Sequence, residues 1–243
     1  MTVFAQITDL HIDTDDPDLK HVDSRANVLS VFDDIQKQNI EQIILSGDLS
    51  ESKSGLSWLL NEINKRKFRY EIILGNHDDR QLYTEEKILS DTKIYYSRRS
   101  DGFLFLFLDS SENLIDPEQL VWIDEQLSHA SEDVIIFVHH PVLDCGDSIM
   151  DKRFPLENRE EVSKVLIKSN KKISLFCGHY HREEIVRYGN IIQFLTPSVL
   201  YQIKKYSSKI EIEGEAIGYR VLSTDNGKYE TQVKYVRVIN PVS

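Results

Sequence analysis

The sequence predicts a layered α/β fold with a strand-rich C-terminal part. Two observations carry that expectation. From Val3 to Cys177, apolar runs of strand length alternate with amphipathic stretches of helix length, the pattern of buried strands covered by helices. Beyond Cys177 the helical period stops, and pairs of strand-like segments follow around turn residues.

The elements follow in order. Val3–Ile7 reads as a strand. Ser24–Gln38 reads as a helix because Val28, Val31, Phe32 and Ile35 recur at i, i+3, i+4 and i+7, with Asp23 or Ser24 as its cap. Gln42–Leu45 is a strand, and Gly55–Lys65 a helix with Leu56, Leu59, Leu60 and Ile63 on one stripe. Tyr70–Leu74 is a strand and Thr84–Leu89 a short helix. Lys93–Tyr96 and Phe103–Leu108 read as strands joined through Ser-Asp-Gly. Pro117–Leu127 is a helix with proline in its first turn, where the missing N–H costs little. Val134–Val138 is a strand, Glu157–Lys168 a helix and Ile173–Cys177 a strand. Glu184–Tyr188 and Ile191–Leu195 form a hairpin through Gly189-Asn190, and Ile217–Ser223 and Tyr229–Val238 another around Asn226-Gly227. The C-terminal strands are expected to complete a second sheet of the same domain.

The 243 residues are 40% hydrophobic and 28% charged, a globular composition whose length suits one domain spanning 1–243. The formal charge of -11 argues against a nucleic-acid partner, because phosphate backbones are gripped by clustered Lys and Arg. Two cysteines are too few for a disulfide framework. Cys177 is expected to pack as a small buried hydrophobe, and Cys145 lies in a loop. The longest apolar run, Phe103–Leu108, is strand-sized, so no membrane span is expected. No secretory leader pattern is read at the N-terminus, which makes a cytoplasmic location the expectation.

Chemistry gathers at the strand ends. Thr8-Asp9-Leu10-His11 follows the first strand, Ser46-Gly47-Asp48 the second and Gly75-Asn76-His77-Asp78 the third. His139-His140-Pro141 and Gly178-His179-Tyr180-His181 follow two later ones. Six of the eight histidines lie in these blocks. Open α/β sheets bind ligands outside the carboxyl ends of their strands, and neighbouring strand ends of one sheet are ~4.8 Å apart, so the groups can converge. The donor set is carboxylate, imidazole and one amide, with no thiolate, which suits Mn²⁺, Fe or Zn²⁺. Seven donors exceed one site that also binds water, and two metals sharing a carboxylate fit better.

The order D-x-H, GD, GNHD, H, GHxH resembles the calcineurin-like metallophosphoesterase superfamily across Asp9 to His181. The resemblance implies a sandwich of two mixed β-sheets flanked by helices. It implies Asp9, His11, Asp48 and His181 on one metal, and Asp48, Asn76, His139 and His179 on the other, with Asp48 bridging. His77 then faces the scissile phosphate and Asp78 is its hydrogen-bond partner. Further blocks, Met150-Asp151, Leu156-Glu157-Asn158 and Gly218-Tyr219-Arg220, are similar to the bacterial class III cyclic-nucleotide phosphodiesterase branch. Val142 departs from that branch, which usually has a second proline there, and the loop Asp144–Phe154 does not align. The implied activity is hydrolysis of a phosphodiester, a 3′,5′-cyclic nucleotide for that branch, by in-line attack of a metal-bridging hydroxide. The substrate is a small phosphate ester, and the resemblance allows a homodimer.

Each motif alone has a plainer reading. Asp9-x-His11 could be a capped turn, Asp48 a helix cap, Asn76 a turn residue and His77 a satisfied core histidine. The five blocks together favour the metal reading. Adjacent side chains on extended backbone diverge, so His139 and His140 do not share one metal. His140 is read as part of the pocket wall, or as a substrate or outer-shell contact. His21 and His129 are read as solvated or capping residues, Arg25 as a weak phosphate contact and Phe103–Phe107 as core strand. A small-molecule phosphomonoesterase and a non-catalytic scaffold are the alternatives. The protein-phosphatase version is disfavoured because Leu49-Ser50-Glu51-Ser52 after Gly47-Asp48 contains no arginine.

Overall fold

The computed structural model describes residues 1–16, 22–86, 94–146, 148–214 and 216–237. In chain order the elements are β1 (Thr2–Ile7), α1 (Ser24–Lys37), β2 (Gln42–Ser46), α2 (Lys53–Arg66), β3 (Arg69–Ile73) and α3 (Arg80–Glu85). Then come β4 (Tyr96–Ser100), β5 (Phe103–Phe107), α4 (Pro117–His129), β6 (Asp133–Phe137), α5 (Ile149–Arg153) and α6 (Arg159–Lys168). The chain continues through β7 (Ile173–Cys177), β8 (Glu184–Tyr188), β9 (Ile191–Leu195), β10 (Ala216–Asp225) and β11 (Lys228–Arg237).

The helices start where side-chain oxygens meet their free amides. The Asp23 carboxylate accepts from Ala26 N, Ser52 Oγ from Gly55 N and Asp116 from Gln119 N, caps worth ~1 kcal/mol each. The apolar stripe of α1, Val28, Val31, Phe32 and Ile35, is fully buried. Among the described residues no helix is long and apolar enough to cross a membrane.

Two mixed sheets pack face to face, in the orders β11-β10-β1-β2-β3 and β4-β5-β6-β7-β9-β8. Helices α1 and α2 cover the outer face of the first sheet, and α4 and α6 that of the second. Strand alternation divides the β5 run: Phe103, Phe105 and Phe107 point between the sheets, while Leu104 and Leu106 face the helices. An aromatic ladder crosses the second sheet. Its ring centroids step from Tyr96 to Phe107 at 4.6 Å, to Phe137 at 5.5 Å, to Phe176 at 5.3 Å and to Phe194 at 5.0 Å, all nearly parallel.

Four expectations shift. The short helix spans Arg80–Glu85 rather than Thr84–Leu89, because Asp79 caps it directly after the GNHD loop; residues 87–89 lie outside the described ones. The strand before Phe103 is Tyr96–Ser100 rather than Lys93–Tyr96. Asp101 and Gly102, with φ of 50° and 78°, close a two-residue turn that pairs Ser100 with Phe103 and draws a polar segment into the sheet edge. The loop Asp144–Phe154 contains a short helix, α5, that its sequence did not announce. The C-terminal strands also divide between the sheets. The pair β8 and β9 extends the second sheet, whereas β10 pairs antiparallel with β1, Gln6 opposite Arg220, and so completes the first.

Candidate metal centre

Five strand tips meet at one edge of the sandwich: those of β1, β2 and β3 from one sheet and those of β6 and β7 from the other. Convergence therefore comes from adjacency within each sheet, β1-β2-β3 and β6-β7, together with the stacking of the two sheets. Asp9, His11, Asp48, His179 and His181 all have positive φ, between 42° and 68°, a conformation costing roughly 1–3 kcal/mol for a non-glycine residue. Backbone bonds offset that strain. Asp9 N donates to Gly47 O at 3.0 Å, His11 N to Asp48 O at 2.9 Å and Gly178 N to His139 O at 3.0 Å, which extends the sheet ladders into the loops. Gly75 permits a close approach, because a Cβ there would run into Asp48 Oδ1.

Among the described residues, three groups of side chains lie close enough to hold an ion: Asp9, His11 and His181; His11, Asp48 and His77; and Asp48, His139 and His179. His181 Nε2 stands 3.3 Å from Asp9 Oδ1 and 3.3 Å from His11 Nε2. Asp48 Oδ2 is 3.5 Å from His11 Nε2 and 3.2 Å from His139 Nε2. The backbone N of His179 donates to both Asp9 oxygens at 3.0 Å, and His77 N donates to Asp48 Oδ1 at 2.9 Å.

Neighbours set the ring orientations. His139 Nδ1 donates to Ser46 O at 2.9 Å, which turns Nε2 toward Asp48. His179 Nε2 donates to Phe154 O at 2.9 Å, which leaves Nδ1 for the cluster. A buried acceptor of the GNHD loop, Asn76 Oδ1, has no hydrogen-bond partner. An orphaned acceptor beside buried carboxylates is what a cation satisfies, so hard oxygen and imidazole donors fit divalent metal ions.

The buried carboxylates stay ionised because the histidines around them offset the cost of burial. Burial pushes the Asp9 carboxyl up, but His181 and His139 prevail and hold it at about 2. Asp48 is likewise held well below the usual carboxylate range against burial, chiefly by His139. Burial pushes His139 down, but Asp48 and Asp9 raise it to about 9. His179 drops to about 3 through burial and the neighbouring His139.

The structure brings together Asp9, His11, Asp48, His77, His139, His179 and His181, and it leaves Asn76 Oδ1 orphaned in the adjoining loop. Asp78 is corrected. It is not the partner of the His77 ring, since its oxygens accept from Leu49 N at 2.8 Å, Gly75 N at 2.9 Å and Tyr83 Oη at 2.7 Å. Consecutive side chains in the GNHD turn diverge, and Asp78 points into the protein. Glu51 takes the predicted place, with Oε1 3.4 Å from His77 Nδ1 and 3.1 Å from His11 Nδ1. Sequence reasoning passed over Glu51; the available signal was a carboxylate three positions after Asp48. Hydrogen bonding to Glu51 raises the His77 pKa.

Arg25 is also corrected as a phosphate contact, because Asp13 holds it by two bonds, Nε–Oδ1 at 2.9 Å and Nη2–Oδ2 at 2.7 Å. His140 is fully buried, with Nδ1 2.8 Å from Ser110 Oγ and its ring 4.2 Å from that of His179. It packs behind the His179 ring, where Ser110, just beyond β5, adds a sixth strand end. His129 caps α4 through Glu125 O at 2.7 Å, and His21 lies outside the described residues. Both cysteines are buried and free. Val142 N donates to Gln193 Oε1 at 2.8 Å, a bond a proline at that position could not make. Arg220 is buried and anchors a polar chain to the cluster: Nε donates to Thr196 Oγ1 at 3.1 Å, Thr196 Oγ1 to Gln6 Oε1 at 2.6 Å and Gln6 Nε2 to Ser46 Oγ at 3.0 Å.

Carboxylates and imidazoles converging at the strand tips of a double-sheet sandwich define a metal-dependent hydrolase of phosphate esters. The sequence model of the calcineurin-like phosphoesterases matches residues 2–183, and the chain belongs to that family. It is 30% identical to a Fibrobacter succinogenes protein named a probable cyclic nucleotide phosphodiesterase, over 95% of this chain and 93% of that one. A 3′,5′-cyclic-nucleotide phosphodiesterase of Nostoc is 25% identical over 98% and 94% of the two chains. The crystal structure of a dimetal phosphatase from Danio rerio shares the fold, with a TM-score of 0.67 and 15% identity over 98% of this chain and 96% of that one.

Proposed function

We propose that the chain, working as a single domain, is a dinuclear-metal phosphodiesterase for small substrates, with 3′,5′-cyclic nucleotides as the leading class. One observation carries the reading: Asp48 Oδ2 stands between two sets of candidate ligands, 3.5 Å from His11 Nε2 on one side and 3.2 Å from His139 Nε2 on the other. Asp9, His11, Asp48 and His181 would hold one ion, and Asp48, Asn76, His139 and His179 the second. Mn²⁺, Fe or Zn²⁺ suits these donors. Two such ions supply Lewis acidity and a water of lowered pKa. The diester preference is supported by the names of the Fibrobacter and Nostoc relatives.

The chain's own residues do the rest. His77 is half exposed at the rim, where Nε2 donates to a phosphoryl oxygen of the substrate and delivers a proton to the departing alkoxide. Glu51 holds Nδ1–H of that ring and favours its charged form. Asp78 anchors the loop by tying Gly75 to Leu49. Ser46 O and Phe154 O keep His139 and His179 turned inward. Two free thiols suit a reducing compartment such as the cytoplasm.

The test is a substrate panel at fixed metal content: bis(p-nitrophenyl) phosphate, cyclic AMP, cyclic GMP, glycerophosphodiesters and nucleoside monophosphates. The reading expects diesters to turn over faster than monoesters. A metal-loaded protein inert to every diester, or faster on monoesters, overturns it.

A further inference from the structure

A cavity of ≈ 480 Å³ opens between β8, the loop 202–213 and the β10–β11 hairpin, within the size range of small-molecule sites. Its walls hold two unmet hydrogen-bonding demands. Arg182 is 7% exposed. Its Nε donates to Glu184 Oε2 at 2.8 Å, and Lys205 takes the other Glu184 oxygen. Arg182 Nη1 and Nη2 are buried and have no acceptor. The Tyr180 ring lies 5.2 Å below the guanidinium and covers one face. Gln202, also 7% exposed, donates through Nε2 to Ser198 O at 2.9 Å and Ala216 O at 3.1 Å, while its Oε1 is buried without a donor.

We propose that this cavity binds a small zwitterion bearing a carboxylate and an ammonium, in its simplest form a free α-amino acid. The carboxylate meets the two Nη groups, whose fork matches its geometry. The ammonium donates to Gln202 Oε1. Glu183 and Glu213, which also line the cavity, add negative charge that favours the ammonium and opposes a dianion. The site is separate from the metal centre yet joined to it through the backbone: Arg182 follows His181, and Ile203 N donates to His181 O at 2.8 Å.

Isothermal titration of the metal-loaded full chain with glycine, L-alanine and L-serine, and with their methyl esters and N-acetyl derivatives, tests the proposal. The free amino acids should bind, and removing either charged group should weaken binding by at least ~tenfold. R182M should weaken it by a similar factor, as should Q202L should R182M fail to fold. D48N should leave binding intact, which separates this site from chelation at the metal centre and from the phosphodiesterase reading. No binding by any free amino acid, binding unchanged in folded R182M or Q202L, or binding lost in D48N overturns the proposal.

Discussion

The Glu51 carboxylate stands 3.4 Å from Nδ1 of His77. The same oxygen lies 3.1 Å from Nδ1 of His11, so one side chain orients the half-exposed His77 ring and the buried His11 ring together. Hydrogen bonds to these two rings hold Glu51 well below the usual carboxylate range. Outer-shell partners of this kind typically matter by ~10–100-fold in activity or metal affinity.

E51Q should therefore lower turnover by ~10–100-fold. Because the Glu51 hydrogen bond is the largest cause of the raised His77 pKa, the alkaline limb of the rate profile should move to lower pH. Steady-state rates from pH 5 to 10 check this, and an unmoved limb rejects the pairing.

D78A should behave differently. It strands Gly75 N, Leu49 N and Tyr83 Oη inside the protein, each unsatisfied group costing ~1–3 kcal/mol. Urea unfolding should show the loss, while the position of the pH limb stays as in the parent. A stable D78A with a shifted limb would return Asp78 to the ring-orienting role.

H77A should cut turnover by ~10²–10⁴-fold with metal content unchanged, since His77 is proposed to touch substrate rather than metal. D48N should lose both ions and N76A one. Elemental analysis beside activity separates the three, and chelation followed by Mn²⁺ or Zn²⁺ should inactivate and then restore the parent.

Without metal, stability should peak near pH 6.5. The folded pKa values of His179, about 3, and of His140 are depressed, mainly by burial. The unfolded chain therefore binds protons the folded one refuses, and stability falls by ~1.4 kcal/mol per pH unit per histidine as pH drops below ~6.5. His139, raised to about 9, contributes stability that is full below ~6.5 and is lost as pH rises through 9. Urea midpoints of the metal-free chain between pH 5 and 9.5 check both limbs. H140N should shallow the acid limb alone.

F137A interrupts the aromatic ladder at its middle, between Phe107 and Phe176. It should cost ~3–5 kcal/mol by leaving a cavity and leave the pH profile of the folded enzyme unchanged.

The amino-acid sequence by itself determined the local elements and the chemistry. The period of Val28, Val31, Phe32 and Ile35 specifies α1, and the alternation of Phe and Leu specifies β5, because burial selects residues at the repeat of the backbone. The donor residues were legible for the same reason: they sit in short polar blocks directly after apolar strands. Only the tertiary structure decided which groups face one another. It paired β10 with β1 across the length of the chain, brought the strand tips of two sheets to one edge, turned Asp78 inward and put Glu51 behind His77. Such relations depend on side-chain direction and on contacts between distant segments, and neither leaves a repeat in the local sequence.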